Sequence, residues 1–431
     1  MKILVATGGS HGDVHPFIAV SRALQARGHD VLFCVHPHFR PDVAAAGLRH
    51  SPISEELDVL AEMRNPDIMH PVKGGLFVMD MIVRLTSDGV ERVRALVREF
   101  RPDAILAHHI AIGAEWVARE GKVPIAVGVL APMIWLSKRD PVAPFQRSRG
   151  WLGRLAGRAG GSLAWAVIGS RYDRAIGRLR APLGLGLERR AFRRSFVAGD
   201  VNLGLWSTHF RAPMPDDPEN GVVCGFPFYD GIAKSRSLDP GIERFLSEGD
   251  PPIVFSLGTA AVHVAGNFFE IAADACRRLE RRGLLLVGHE GNVPRDLPAG
   301  VAAFGYAPFS LVLPRGAATV HHGGIGSTSQ ALRSGRPAVV VAHAHDQFHN
   351  ALHVERLGAG RLLPRRRLDA GRLVRELRRV LDDPSCAAAS TAIGEKLRAE
   401  EDGADRAARE VERIAAARLS AAAASTATPA R

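Results

Sequence analysis

Short apolar runs recur along the chain, each followed by a turn and then by a segment with helical spacing of its apolar positions. Residues 2–7 (KILVAT), 30–35 (DVLFCV), 103–107 (DAILA), 124–129 (PIAVGV) and 201–205 (VNLGL) are the first series. A second series follows at 253–258 (IVFSLG), 284–288 (LLLVG), 317–320 (AATV) and 337–342 (PAVVVA). Runs that are apolar at nearly every position suit strands buried on both faces, as in parallel sheets covered by helices. The clearest helical pattern is at 370–382, where Leu373, Leu377, Val380 and Leu381 share one face. The pattern predicts an α/β chain with two doubly wound sheets. Pro213 to Asp239 (PMPDDPENG, then GFPFYDG) is rich in turn residues and reads as a linker. The expected organisation is a first domain over 1–212, a linker over 213–240, a second domain over 241–405, and a helix end and tail over 406–431. The tail is Ala-rich, and disorder is expected from Ser420 onward.

Composition adds bounds rather than detail. A chain of 431 residues exceeds one typical core, and 46% hydrophobic with 23% charged residues is a globular balance. No uncharged apolar run of about 18 residues occurs, so no transmembrane helix is expected. The opening MKILVATGG reads as a strand rather than a signal peptide. The four cysteines, Cys34, Cys224, Cys276 and Cys386, form no CxxC pair. They fit a reducing, cytoplasmic setting and no metal cluster. The net charge of +11 is uneven. Between Lys138 and Arg194, many arginines and few acids interleave with Trp151, Leu152, Leu155 and Trp165. Two readings stay open there: a solvated face over an ordinary core, or a basic amphipathic surface for anionic membrane or an acceptor. No helix-turn-helix, RNP or zinc pattern is present, so no nucleic-acid partner is expected.

The stretch from Val320 to Gly360 holds the densest chemistry. Gly323, Gly324 and Gly326 follow a strand and open a helix, clearing side chains where a ligand would approach the backbone. Ser327 and Thr328 stand near the helix N-terminus, where free N–H groups and the dipole favour an anion. An ordinary strand-to-helix turn with a Ser cap would look similar. No Lys-Ser/Thr follows the glycines, which excludes a Walker loop. Asp346 and Gln347 follow the next strand, where open α/β sheets bind ligands. A carboxylate beside an amide suits neighbouring sugar hydroxyls, though Asp346 is also placed to cap a helix.

His322, Gly324, Ser327, Thr328, Gly335, Pro337, Asp346, Gln347, Asn350, Gly358 and Gly360 together resemble the donor signature of the family-one, two-domain GT-B glycosyltransferases. The resemblance implies two Rossmann-like domains facing across a cleft and a nucleotide-sugar co-substrate. It implies no metal. It places His322, Ser327 and Thr328 near the phosphates and Asp346 and Gln347 on the sugar. In the plant branch a Glu two residues after the Thr grips the ribose; here Gln330 stands there, compatible with a dTDP-sugar as well as a UDP-sugar. Tyr306 falls where the family stacks an aromatic on the base, and a core aromatic would read the same. Thr259, in Ser256-Leu257-Gly258-Thr259, would touch the diphosphate, unless it is a strand-end hydroxyl bonded to backbone.

GGSHGDVHP at 8–16 resembles the sterol-, glycopeptide- and rhamnolipid-type branch, in which the Asp, here Asp13, is the base. The residues alone leave the choice open. His11 has the better intrinsic pKa, whereas a helix N-terminus should lower that of Asp13. His108 and His109 are expected on the acceptor-side wall. His345, His349 and His353 have a metal-like spacing without a convincing carboxylate, so no metal site is expected. The 225–231 and 344–358 segments are similar to the chain-B rhamnosyltransferases of rhamnolipid synthesis. That resemblance implies inverting transfer of L-rhamnose from dTDP-rhamnose to a hydroxy fatty acid. The alternatives are a polyketide, sterol or macrolide glycosyltransferase using a UDP- or dTDP-sugar, and an inactive helper protein.

Overall fold

A computed structural model describes residues 1–54, 59–71, 73–140, 169–181, 184, 191–231 and 237–426. Its strands form two separate sheets, and every recorded pairing is parallel. The first sheet has the order β3-β2-β1-β4-β5-β6-β7. Its strands are β1 (Lys2–Ala6), β2 (Asp30–Cys34), β3 (Arg49–Ser51), β4 (Ala104–His108), β5 (Ile125–Val129), β6 (Val201–Gly204) and β7 (Gly221–Val223). The second has the order β10-β9-β8-β11-β12-β13. It comprises β8 (Ile253–Ser256), β9 (Gly283–Leu286), β10 (Val301–Phe304), β11 (Ala318–His321), β12 (Ala338–Val340) and β13 (Gly360–Leu362). The apolar runs predict every interior strand. The strands they do not announce are β3, β7, β10 and β13, the four sheet edges. These are short, and an edge strand carries no continuous apolar run to betray it.

The principal helices are α1 (His11–Ala26), α2 (Arg40–Ala45), α3 (Lys73–Phe100), α4 (Ile112–Glu120), α5 (Phe268–Leu279), α6 (Ile325–Ser334), α7 (Gln347–Arg356), α8 (Ala370–Leu381), α9 (Pro384–Ala399) and α10 (Gly403–Thr426). In the first sheet the winding reverses between β1 and β4; in the second, between β8 and β11. Crevices open at the carboxyl ends of such strand pairs. The turns after β1, β4, β8 and β11 are therefore where ligand chemistry is to be sought.

Two boundaries differ from the sequence expectation. β7 lies within the supposed linker yet pairs with β6 as the edge of the first sheet. The last helix returns to the first half: Ala407, Ala408, Val411 and Ala415 are fully buried in the cluster that holds Ile3, Val5, Phe17 and Ile18. Arg27 and His29 hold Glu412 at 2.6 Å each. The helix itself runs on through Ser420 to Thr426, past the buried face that ends at Ala415. Residues 427–431 lie outside the described residues, as does most of the basic 138–194 segment. Among the described residues no helix is long and apolar enough to cross a membrane.

Candidate active site

The two switch points face one cavity of about 1020 Å³. Its floor in the first half begins at Gly8-Gly9-Ser10. Gly9 adopts a positive φ of 102°. A Cβ there would stand 2.5 Å from Asp13 Oδ2, so only glycine leaves room for the carboxylate. Ser10 donates to that same oxygen from its N–H (2.7 Å) and its hydroxyl (2.9 Å). This is the carboxylate half of a capping box. Asp13 keeps part of its surface open to the cleft, but enough protein surrounds it that burial raises its pKa, against the lowering by Ser10. Desolvation thus outweighs the two hydrogen bonds from Ser10, and Asp13 is a stronger base than an ordinary aspartate.

His11 lines the cavity beside it. Its Nε2 lies 3.5 Å from Asp42 Oδ2, and His15 Nε2 lies 3.9 Å from Asp42 Oδ1. These two imidazoles hold the Asp42 carboxyl below its usual range. Nothing in the local sequence announces this partner, because Asp42 arrives on α2. After β4 the two histidines part. His109 lines the cavity. His108 does not: it is turned inward against Phe17, 5.1 Å between ring centroids, and burial lowers it to about 3. The expectation that both line the wall is therefore corrected for His108: of the two, His109 alone reaches the cavity.

In the second half, Thr259, Tyr306, His322, Gly324, Gly326, Ser327, Gln330, Asp346 and Gln347 line the same cavity. His322 is wedged between glycines. A Cβ on Gly258 would stand 2.5 Å from its Cε1, and one on Gly324 would stand 2.4 Å from its Nε2. Burial drives the His322 pKa well down, so it meets a ligand as a neutral imidazole. Gly326 has open space where a side chain would be. With Ser327 it presents the N-terminus of α6 to the cavity.

Three expected donor contacts stand behind the lining. Thr328 is fully buried and does not reach the cavity. Gly323, at φ 93°, uses its carbonyl to accept from Asn350 Nδ2 at 2.9 Å. Asn350 also donates to Asp346 Oδ2 at 2.7 Å, so it positions the carboxylate from below. Asp346 occupies the N-cap position of α7 but makes no side-chain cap bond. Burial raises its pKa, and the charge of Asp13 across the cleft adds to the rise. Gln347 Oε1 accepts from His343 N–H (2.8 Å) and Ala344 N–H (3.2 Å), and its NH₂ donates to Met69 Sδ at 3.5 Å with a second N–H left over. Gln330 Nε2 donates to Asp230 Oδ1 at 2.7 Å.

Residues 3–118 match the glycosyltransferase family 28 N-terminal domain, and residues 285–423 match the erythromycin biosynthesis protein CIII-like C-terminal domain. The chain belongs to the GT-B glycosyltransferases. It is 29% identical over 412 residues to the O-mycaminosyltylonolide 6-deoxyallosyltransferase of Streptomyces fradiae, covering 93% of this chain and 94% of that one. It is 28% identical to a sterol 3-beta-glucosyltransferase of Arabidopsis thaliana, covering 84% of this chain and 57% of the plant protein. The 4'-demethylrebeccamycin synthase of Lentzea aerocolonigenes is also 28% identical, with 89% and 92% covered. In fold the chain is similar to a kitacinnamycin glycotransferase (TM-score 0.72, 22% identity, 96% and 98% covered). It is similar as well to the spinosyn forosaminyltransferase SpnP (TM-score 0.70, 18% identity, 96% and 99% covered).

The rest of this glycosyltransferase's cavity is apolar. Val78, Met79, Ile82 and Leu85 of α3, with Ile110, Met133, Ile134, Phe196 and Phe228, make a wall on the side of the first sheet. The helical spacing within α3 was available in the sequence, but which face it shows the cleft was not. His263 and His289 also line the cavity, their rings stacked at 6.0 Å. The lining among the described residues contains nine histidines and four carboxylates but no lysine or arginine.

The histidine spacing at 345–353 meets a carboxylate from far along the chain, Asp140, and the ligand atoms of Asp140, His349 and His353 lie close enough together to hold a metal ion. His345 turns away, its Nε2 2.6 Å from the Ile68 carbonyl. His349 and His353 both approach Asp140 Oδ2, at 3.1 and 2.9 Å. Arg356 reaches Oδ1 at 2.9 Å, and Arg211 lies 3.8 Å from Oδ2. Arg211 is itself held by Asp217, Nη2 to Oδ1 at 2.6 Å, so Arg356 is the close cation on Asp140, and this buried cluster joins the first half to α7.

Proposed function

We propose that this enzyme transfers a hexose or deoxyhexose, with inversion, from a dTDP- or UDP-sugar to a hydroxyl of a neutral lipophilic natural product such as a polyketide or sterol. The observation that carries the acceptor class is the large apolar wall without a cationic group among the described lining residues. A free fatty-acid carboxylate would be buried there beside Asp13 and Asp346 with no lysine or arginine among the described lining residues to match it, and such an unmatched charge costs several kcal/mol. The neutral acceptor is therefore favoured over the hydroxy fatty acid that the motif resemblance suggests. Relatives named for O-mycaminosyltylonolide and for sterols support the same class.

The reaction follows from the placement of the groups. Asp13 takes the proton of the acceptor hydroxyl as its oxygen attacks the anomeric carbon. The bond from that carbon to the phosphate oxygen breaks on the opposite face. The leaving diphosphate gathers its charge at the N-terminus of α6, with Ser327 and Thr259 as hydroxyl donors. These donors serve the role a metal would otherwise fill, so no metal is included in the proposal. Asp346 and the NH₂ of Gln347 bind sugar hydroxyls. Thymidine as the nucleoside draws support from two relatives of the same fold solved with thymidine diphosphate. L-rhamnose remains the sugar suggested by the rhamnolipid-type motifs.

The test is an initial-rate assay with dTDP-rhamnose, dTDP-glucose and UDP-glucose against a macrolide aglycone, a sterol and a 3-hydroxy fatty acid. Turnover of the neutral acceptors is expected. Turnover confined to the free acid would overturn the acceptor reading.

A further inference from the structure

Asp230 is a carboxylate in the cavity that the mechanism above does not use. It sits at the end of GFPFYDG, in the turn-rich segment between the sheets, 100 positions before Gln330. Gln330 nevertheless donates to its Oδ1 at 2.7 Å, while no recorded hydrogen bond engages Oδ2. Its backbone is held as well: the Tyr306 hydroxyl donates to the Asp230 carbonyl at 2.9 Å. Asp230, Gln330 and Tyr306 all line the cavity.

The three residues have the spacing of a nucleoside seat. Tyr306 is 63% exposed although it lines the cavity, and an aromatic side chain with that much open surface can stack on a base. Gln330 stands four residues beyond Gly326, about 6 Å along α6 from the turn that would hold the diphosphate. That is about the reach from a diphosphate to the hydroxyls of the attached pentose. A fixed carboxylate with one open oxygen is an acceptor for such a hydroxyl. Its fixation matters: the amide of Gln330 and the hydroxyl of Tyr306 restrict Asp230 before any ligand arrives, which lowers the ordering cost of binding.

We propose that Asp230 accepts a hydrogen bond from the 3′-hydroxyl of the donor's pentose, and that Gln330 is a positioning residue for that carboxylate. The proposal rests on the nucleotide-sugar reading above. It also removes the argument from Gln330 to a deoxyribose donor. The carboxylate absent from position 330 is supplied from the inter-sheet segment instead, and the 3′-hydroxyl is common to dTDP and UDP.

The experiment is calorimetric titration of the full-length protein with dTDP and with 3′-deoxythymidine diphosphate, repeated with UDP and its 3′-deoxy analogue. Wild type is expected to prefer the hydroxylated nucleotide about 10- to 100-fold, the range of a hydrogen bond to a charged group. In Asp230→Asn that preference should shrink to less than threefold, with affinity for the 3′-deoxy nucleotide unchanged. Gln330→Ala should lose part of the preference, again without weakening the 3′-deoxy nucleotide. An Asp230→Asn protein that keeps the full preference, or that weakens both nucleotides equally, overturns the proposal. Equal weakening would mark Asp230 as a tether of the segment only. If wild type binds none of these nucleotides, the nucleotide-sugar reading itself has failed. That result is distinct, because it appears before any variant is made.

Discussion

Asp13 accepts two hydrogen bonds from Ser10 on a single oxygen, Oδ2, at 2.7 and 2.9 Å. The carboxylate is thereby locked in orientation while Oδ1 has no recorded partner and is left to the cavity. For a general base this is a useful arrangement, since holding the acceptor oxygen in place removes much of the entropic cost of proton transfer.

Replacing Asp13 tests its role directly. Asp13→Asn keeps the shape and the Ser10 contact but cannot take a proton, and kcat should fall about 10²- to 10⁴-fold. His11→Ala should cost far less than Asp13→Asn under the same steady-state assay. The reverse order would transfer the base to His11 and its partner Asp42.

Activity should carry an acidic limb displaced upward. Asp13 works only when ionised, and burial raises its pKa above the ordinary aspartate value. The rate therefore falls as pH drops through that raised value. Asp346 is raised too and senses Asp13, so the limb in kcat/KM belongs to both carboxylates. The residual activity of Asp13→Asn separates them: a limb that persists there reports Asp346.

Stability should decline on acidification well before ordinary carboxylates titrate. Burial lowers His108 to about 3 and His321 and His343 to about 4. An unfolded histidine titrates near 6.5. Below that pH the unfolded chain binds protons that the folded chain refuses. Each of these histidines then costs about 1.4 kcal/mol per pH unit until its folded pKa is reached. The raised Asp13 and Asp346 act in the opposite sense, because the folded state takes up their protons first. Thermal melts across pH 7 to 4 should show a progressive fall in Tm, and a flat profile would contradict the neutral buried histidines.

The Asp140 cluster should be a stability determinant rather than a catalytic one. Asp140→Ala leaves His349 and His353 buried without their shared acceptor, while Arg211 keeps its two-point pair with Asp217. Removing one partner of a buried ionic cluster costs about 3–5 kcal/mol. A large drop in Tm is expected, and donor affinity at low temperature should stay within a fewfold of wild type.

Local sequence determined much of this molecule. The interior strands were legible because a parallel strand covered on both faces must be apolar throughout, and the glycines of both switch-point turns were legible because few other residues fit. Gly9 and Gly323 do adopt left-handed backbone. The cavity-lining residues His322, Ser327, Asp346 and Gln347 were legible for the same reason: they sit within a few residues of the turns that position them.

Tertiary structure alone decided the rest. Short edge strands such as β3 and β13 are fixed by the neighbour they pair with, not by a pattern of their own. The pKa of Asp13 moves upward because burial, a property of everything packed around it, exceeds the local effect of its hydrogen bonds to Ser10. Gln330 meets Asp230 across 100 positions, and His353 meets Asp140 across 213. No spacing rule reaches that far along a chain, since such partners are chosen by how two sheets and their helices pack, and only then by side-chain chemistry.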